Sequence, residues 1–121
     1  MEININCDLG EKSKLHSNKN DPELLGIVNS ASVACGYHAG DEDTMNEVIK
    51  ISKKNGVSIG AHPSFRDLEN FGRKRMNLRP EEIRSLIIDQ YEILQKIASK
   101  NGENVSHIKP HGALNNMACE D

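Results

Sequence analysis

Apolar residues recur at every second position in some stretches of this chain and at helical spacing in others. Ile3, Ile5 and Cys7 alternate with Asn4, Asn6 and Asp8, and Val57, Ile59 and Ala61 alternate with Ser58, Gly60 and His62. A period of two puts each set on one face of a strand. Four strands are predicted, near residues 3–8, 31–37, 57–62 and 105–110, with His107, Lys109 and His111 sharing one face of the last. Helical spacing fills the gaps. Asp21-Pro22-Glu23 reads as a cap, a proline and an early acid, opening a short helix through Leu24, Leu25, Ile27 and Val28. Met45, Val48, Ile49 and Ser52 line a second helix, capped by Asp41 or Asp43, with Lys50, Lys53 and Lys54 near its end and Gly56 beyond it. A third begins at Arg79-Pro80-Glu81-Glu82, carries Ile83, Leu86, Ile87, Leu94 and Ile97, and stops at Asn101-Gly102.

Strands alternating with helices imply a parallel sheet with right-handed crossovers. An open doubly wound sheet needs apolar residues on both faces. Here one face is apolar and the other is small or polar and ends in Asp or His. That suits an α/β barrel whose outer face packs on helices and whose interior is polar. A closed barrel takes ~250 residues, so 121 residues with four units are expected to form a single domain, 1–121, amounting to half a barrel. Such a half leaves two strand edges unpaired. The chain is therefore expected to be a fragment, one piece of a split gene, or a half that pairs with another chain. The connection from Pro63 to Leu78 is long for this architecture, which points to a functional loop.

Composition narrows the function. Charged residues make up 27%, hydrophobic ones 36%, and the net charge is −3, so neither a nucleic-acid surface nor an acidic tail is indicated. No apolar run reaches the ~20 residues of a membrane span. Met1-Glu2-Ile3-Asn4 does not open a signal peptide. Cys7, Cys35 and Cys119 are odd in number and lack CxxC spacing, which favours reduced thiols and a cytoplasmic setting, with Cys7 and Cys35 as small buried hydrophobes. Aromatic residues are only 3%, too few for a base-stacking platform.

The chemistry collects at strand ends. Asp8, His38, His62 and His111 each follow an apolar strand, and a parallel barrel gathers such residues at one rim. One Asp and three His make a divalent metal site or an acid–base site. Lys109 is placed to neutralise an anion, and Arg73 and Arg75 suit a carboxylate or phosphate. Plainer readings stand beside these. A histidine at a strand end is often a hydrogen-bonded structural residue, and Arg73-Lys74-Arg75 equally reads as an exposed basic turn. His107 reads as interior filler, His16 as a solvated loop residue, and Asp41 as a helix cap before a catalytic acid. Gly36, Gly40, Gly60 and Gly112 read as fits for tight turns, and none precedes the GK[ST] of a phosphate loop.

Four longer segments carry more: Asn6-Cys7-Asp8-Leu9-Gly10-Glu11, Ala34-Cys35-Gly36-Tyr37-His38-Ala39-Gly40-Asp41, Gly60-Ala61-His62-Pro63-Ser64-Phe65 with Phe71-Gly72-Arg73-Lys74-Arg75, and Lys109-Pro110-His111-Gly112-Ala113-Leu114. In order and spacing these resemble the N-terminal half of the LamB/YcsF family, the A subunit of bacterial ATP-dependent 5-oxoprolinase. The resemblance implies a seven-stranded β/α barrel of the glycoside hydrolase/deacetylase type. It also implies hydrolysis of the 5-oxo-L-proline lactam to L-glutamate, coupled to ATP, with partner subunits B and C. On that reading Asp8, His38, His62, Lys109 and His111 are catalytic, Asn6, Glu11, Arg73 and Arg75 bind substrate, and Asp8, His38, His62 and His111 are the candidate metal ligands. Asn115 stands where the family usually has tyrosine. Two other readings remain: a stand-alone metal-dependent deacetylase or amidohydrolase, and a non-catalytic barrel half acting in a complex or as a homo-oligomer.

Overall fold

Four strands, Asn6–Leu9 (β1), Ser30–Ala34 (β2), Ser58–His62 (β3) and Val105–Ile108 (β4), pair in parallel in the spatial order β1-β2-β3-β4. Helices Asp21–Leu25 (α1), Glu42–Asn55 (α2), Pro80–Lys100 (α3) and Gly112–Glu120 (α4) follow them in strict alternation. The computed structural model describes residues 5–13 and 17–120, so Ile3, Asn4 and His16 lie outside it. Each β-α unit advances the sheet by one strand in the same direction. A doubly wound sheet would reverse its strand order partway, whereas this unbroken order is that of a partial α/β barrel.

The local signals work as capping chemistry. Asp41 is extended, its Oδ1 accepts the Thr44 N–H at 2.7 Å, and α2 begins after it. At the other end Gly56 takes the left-handed conformation (φ 68°) and its N–H reaches back to the Ser52 and Lys53 carbonyls. Pro80 opens α3, and the Glu82 carboxylate reaches back to Arg79 Nε at 2.8 Å. The first helix departs from expectation. Asn20 holds the cap position, and the buried Asp21 carboxylate instead accepts the Gly10 N–H at 2.8 Å, tying the loop after β1 to α1. That helix stops at Leu25 because the Gly26 N–H turns back to Glu23; Ile27 is then solvent-exposed while Val28 is buried. The second and fourth strands are also shorter than expected, ending at Ala34 and Ile108.

The two faces of the sheet have opposite characters. Ala31, Val33, Ile59, Ala61 and Val105 join one core with Met45, Val48 and Ile49 of α2 and Leu94, Ile97 and Ala98 of α3. Burial of each larger side chain contributes about 1.5–3 kcal/mol. Leu9 and Cys7 supply the apolar face of β1, while Ile5 precedes the strand and is half exposed. On the opposite side Asn6, Ser30, Ser32, His107 and Lys109 line a polar cavity of about 430 Å³. A bulge at Ser106 shifts the register between Ile59 and Gly60 and brings the His107 ring against Gly60, where a Cβ would collide with it. His107 is thus interior filler. Among the described residues no helix is long and apolar enough to cross a membrane.

The loop at 63–78 is anchored at several points. Phe65, fully buried, packs with Ala113, Leu114, Met76, Leu78 and Leu86 in a second core. Gln90 of α3 accepts the Ser64 N–H at 2.9 Å and donates to the Ser64 carbonyl at 2.7 Å. A buried amide held at both ends satisfies the strand-leaving backbone where no ladder partner remains.

Candidate functional site

Four loops at the carboxyl ends of the strands bring Glu11, His38, His62 and His111 together. His62 is the last residue of β3, His111 precedes α4, and Glu11 and His38 lie in the turns after β1 and β2. These two turns are joined by the Gly40 N–H, which donates to the Lys12 carbonyl at 2.8 Å. One ligand atom from each of the four residues lies within 4.8 Å of all the others. Glu11 Oε2 is 2.6 Å from His38 Nε2, 3.7 Å from His62 Nε2 and 3.5 Å from His111 Nδ1. The imidazoles are buried, and His38 stacks on His111 with ring centroids 3.9 Å apart.

The outer hydrogen bonds decide which nitrogens face inward. His62 Nδ1 lies 2.6 Å from the Lys109 carbonyl and His111 Nε2 lies 2.8 Å from the Phe71 carbonyl. A carbonyl only accepts, so each of these nitrogens carries the proton. His62 Nε2 and His111 Nδ1 therefore turn lone pairs toward each other across 2.9 Å, beside a carboxylate. Lone pairs at that separation repel unless a cation lies between them. The donor set suits a divalent ion: three neutral imidazoles and one carboxylate, with two rings oriented by backbone carbonyls. Burial holds the protonation states in place. It pushes the pKa values of His38 and His62 down to about 4, against the opposing pull of Asp8, and also lowers that of His111. It raises that of Glu11. His38 Nδ1 has no hydrogen-bond partner among the described residues, in keeping with a neutral ring.

The remaining candidates surround this centre at different distances. Lys109 Nζ pairs with Asp8 Oδ1 at 3.0 Å, and Asp8 Oδ2 lies 3.5 Å from His62 Nε2. Asp8 thus stands beside the cluster with one oxygen engaged by lysine, and Glu11 is the carboxylate closest to the three imidazoles. Asn6 lines the polar cavity with Ser30, Ser32, His107 and Lys109, and not the Glu11–histidine cluster. Arg73 lines a second cavity, of about 290 Å³, shared with Asp8, Glu11 and Phe71. Arg75 is exposed and does not line that cavity. Asn115 is exposed on α4.

Phe71 was not singled out by the strand-end pattern. It is the non-glycine residue with positive φ (55°) among those described, its carbonyl orients His111, and its ring meets His38 and His111 edge-on at 5.1 Å. The adjacent Gly72 (φ 70°) has no room for a Cβ, which would strike Ser64 Oγ and the His38 side chain. The Phe71-Gly72 pair, at the tip of a long loop, was the available signal. A backbone role leaves no side-chain signature.

Residues 3–121 match the LamB/YcsF family. The A subunit of 5-oxoprolinase from Staphylococcus carnosus is 44% identical over 121 residues, all of this chain and 48% of the relative. The protein of the same name from Rhodopseudomonas palustris is 47% identical over 122 residues, again covering 48% of its length. The crystal structure of a lactam utilization protein from Thermus thermophilus superimposes with a TM-score of 0.92 at 39% identity, over 98% of this chain and 48% of that one. The chain spans about half the length of the curated relatives it matches. A family match along nearly its whole length, with the four rim motifs folded into one centre, makes this chain a member of the LamB/YcsF family.

Proposed function

We propose that this chain supplies the N-terminal half of the A subunit of an ATP-dependent 5-oxoprolinase, a cytoplasmic enzyme that opens 5-oxo-L-proline to L-glutamate with subunits B and C. The observation that carries it is the convergence of Glu11, His38, His62 and His111 in a chain 44–47% identical to proteins of that name. A five-membered lactam is resonance-stabilised and recloses readily. Coupling to ATP, by phosphorylation of the lactam oxygen with release of ADP, turns the ring carbon into a better electrophile. Opening of the ring by one water then leaves γ-glutamyl phosphate, and a second water releases phosphate and L-glutamate.

The side chains then divide the work. Glu11, its pKa raised by burial, accepts the proton of the attacking water and returns it to the ring nitrogen as the C–N bond breaks. His62 and His111 line the same space as neutral imidazoles. Lys109, held by Asp8 at 3.0 Å, places an ammonium beside the developing oxyanion. Arg73, which lines the cavity shared with Glu11 and Asp8, contacts substrate. A divalent ion, held by Glu11, His38, His62 and His111, supplies Lewis-acid polarisation when bound.

In the full-length protein reconstituted with B and C, H62A is expected to abolish 5-oxoproline-dependent ATP turnover; unchanged turnover overturns the site. A metal-dependent deacetylase or amidohydrolase is the second reading, favoured by the facing imidazole lone pairs. Lactam or amide hydrolysis by the metal-loaded protein without ATP would select it.

A further inference from the structure

Beside the Glu11–histidine centre lies the cavity of about 290 Å³, bounded by Asp8, Glu11, Asn18, Asn20, Phe71 and Arg73. Its volume is near the lower end for small-molecule sites. Its lining sorts by chemistry. Glu11 and Asp8 lie on the side of the imidazoles, Phe71 gives an apolar wall, and Arg73 is the cation. The Arg73 guanidinium stands over the Phe71 ring, 5.2 Å from its centroid. A cation held over a ring face keeps N–H groups available to bind an anion. Among the described residues no carboxylate forms an ion pair with Arg73, although three, Asp8, Glu11 and Asp21, line the same cavity. Asp8 is already paired with Lys109, so Arg73 is the cation left to offset a charged ligand.

We infer that Arg73, backed by Phe71, receives the carboxylate of the substrate and restricts the site to small lactams bearing an acid next to the ring nitrogen. This rests on the lactam-opening reading above. An uncharged lactam needs no such cation. An anionic one would be repelled by Glu11 and Asp8 without it. With its carboxylate on Arg73 and its methylenes along Phe71, a five-membered lactam turns its amide toward Glu11 and the imidazoles. The Arg73–Phe71 pair is thus a specificity element, separate from the groups that move protons.

The test compares 5-oxo-L-proline with 2-pyrrolidinone, the same ring without the acid, in the full-length protein with its B and C subunits. R73A is expected to lower the ratio of kcat/KM for the two lactams by about 10- to 100-fold, the worth of a charge-assisted hydrogen bond. The rise should fall on the KM for 5-oxo-L-proline, and R73K should recover part of the ratio. Equal losses on both lactams overturn the inference. A raised KM for ATP with the lactam ratio intact assigns Arg73 to phosphate and also overturns it. If the wild-type complex turns over neither lactam, the lactam-opening reading itself fails and the subsite falls with it.

Discussion

The same four strands present two unlike surfaces. Toward α2 and α3 they bury Ala31, Val33, Ile59, Ala61 and Val105 in a continuous apolar core. Toward the other side, and at their carboxyl ends, they carry Ser30, Ser32, Gly60, His62 and His107. One residue's shift along a strand separates the two. The apolar face holds the fold through non-directional burial. The polar face gains little stability and holds three buried imidazoles and a carboxylate at some cost in desolvation. Damage to the first should show as lost stability, and damage to the second as lost chemistry.

The largest expected effect is on the second surface. H111Q in the full-length protein should lower lactam-dependent turnover by about 10²- to 10⁴-fold while its thermal melt stays close to wild type. A comparable fall in melting temperature would erase the distinction. On the first surface, Leu94 is fully buried in the core, so L94A should cost about 2–5 kcal/mol by calorimetry. A cost below about 1 kcal/mol would mean that this core does not carry the fold.

Gly72 joins the two surfaces, since it wedges the 63–78 loop against His38. G72A forces a side chain into a left-handed backbone with no space for it, and should cost about 1–3 kcal/mol and turnover together. Near-wild-type melting and turnover would show that the 63–78 loop is not held this way.

Acid should act through the imidazoles. Unfolded histidines protonate near 6.5, whereas folded His38 and His62 do so only near 4. Between those values the unfolded chain holds more protons, so stability falls as the pH drops through that window and is fully present above it. Glu11, its pKa raised by burial, works in the opposite sense and softens the loss. A melting temperature that does not change between pH 7 and 4.5 contradicts neutral buried imidazoles. The smallest effect belongs to Lys109 and Asp8, both substantially exposed: K109M should change stability by no more than about 1 kcal/mol while reducing turnover. A larger stability loss would make this pair part of the scaffold.

Much of this was legible in the residues themselves. Asp41 and Gly56 bracket α2 as their capping chemistry requires, because a cap depends on atoms only a few residues away. The period-two strands and their terminal histidines were legible for the same reason. Asp21 misled: a carboxylate beside a proline reads as a cap, but a partner eleven residues earlier, Gly10, claimed it. Asn6 shares a motif with Asp8 and Glu11, yet it lines the polar cavity with Ser30 and His107.

Local order thus determined the strands, the helices and the placing of three histidines at one rim, since periodicity and capping are short-range. Only tertiary structure decided that Glu11 rather than Asp8 stands closest to the imidazoles, that Phe71 and Lys109 carbonyls select their inward nitrogens, and that Arg73 rests on Phe71. Those are contacts between residues far apart in the chain. Distance and direction across loops carry no period for a sequence to display.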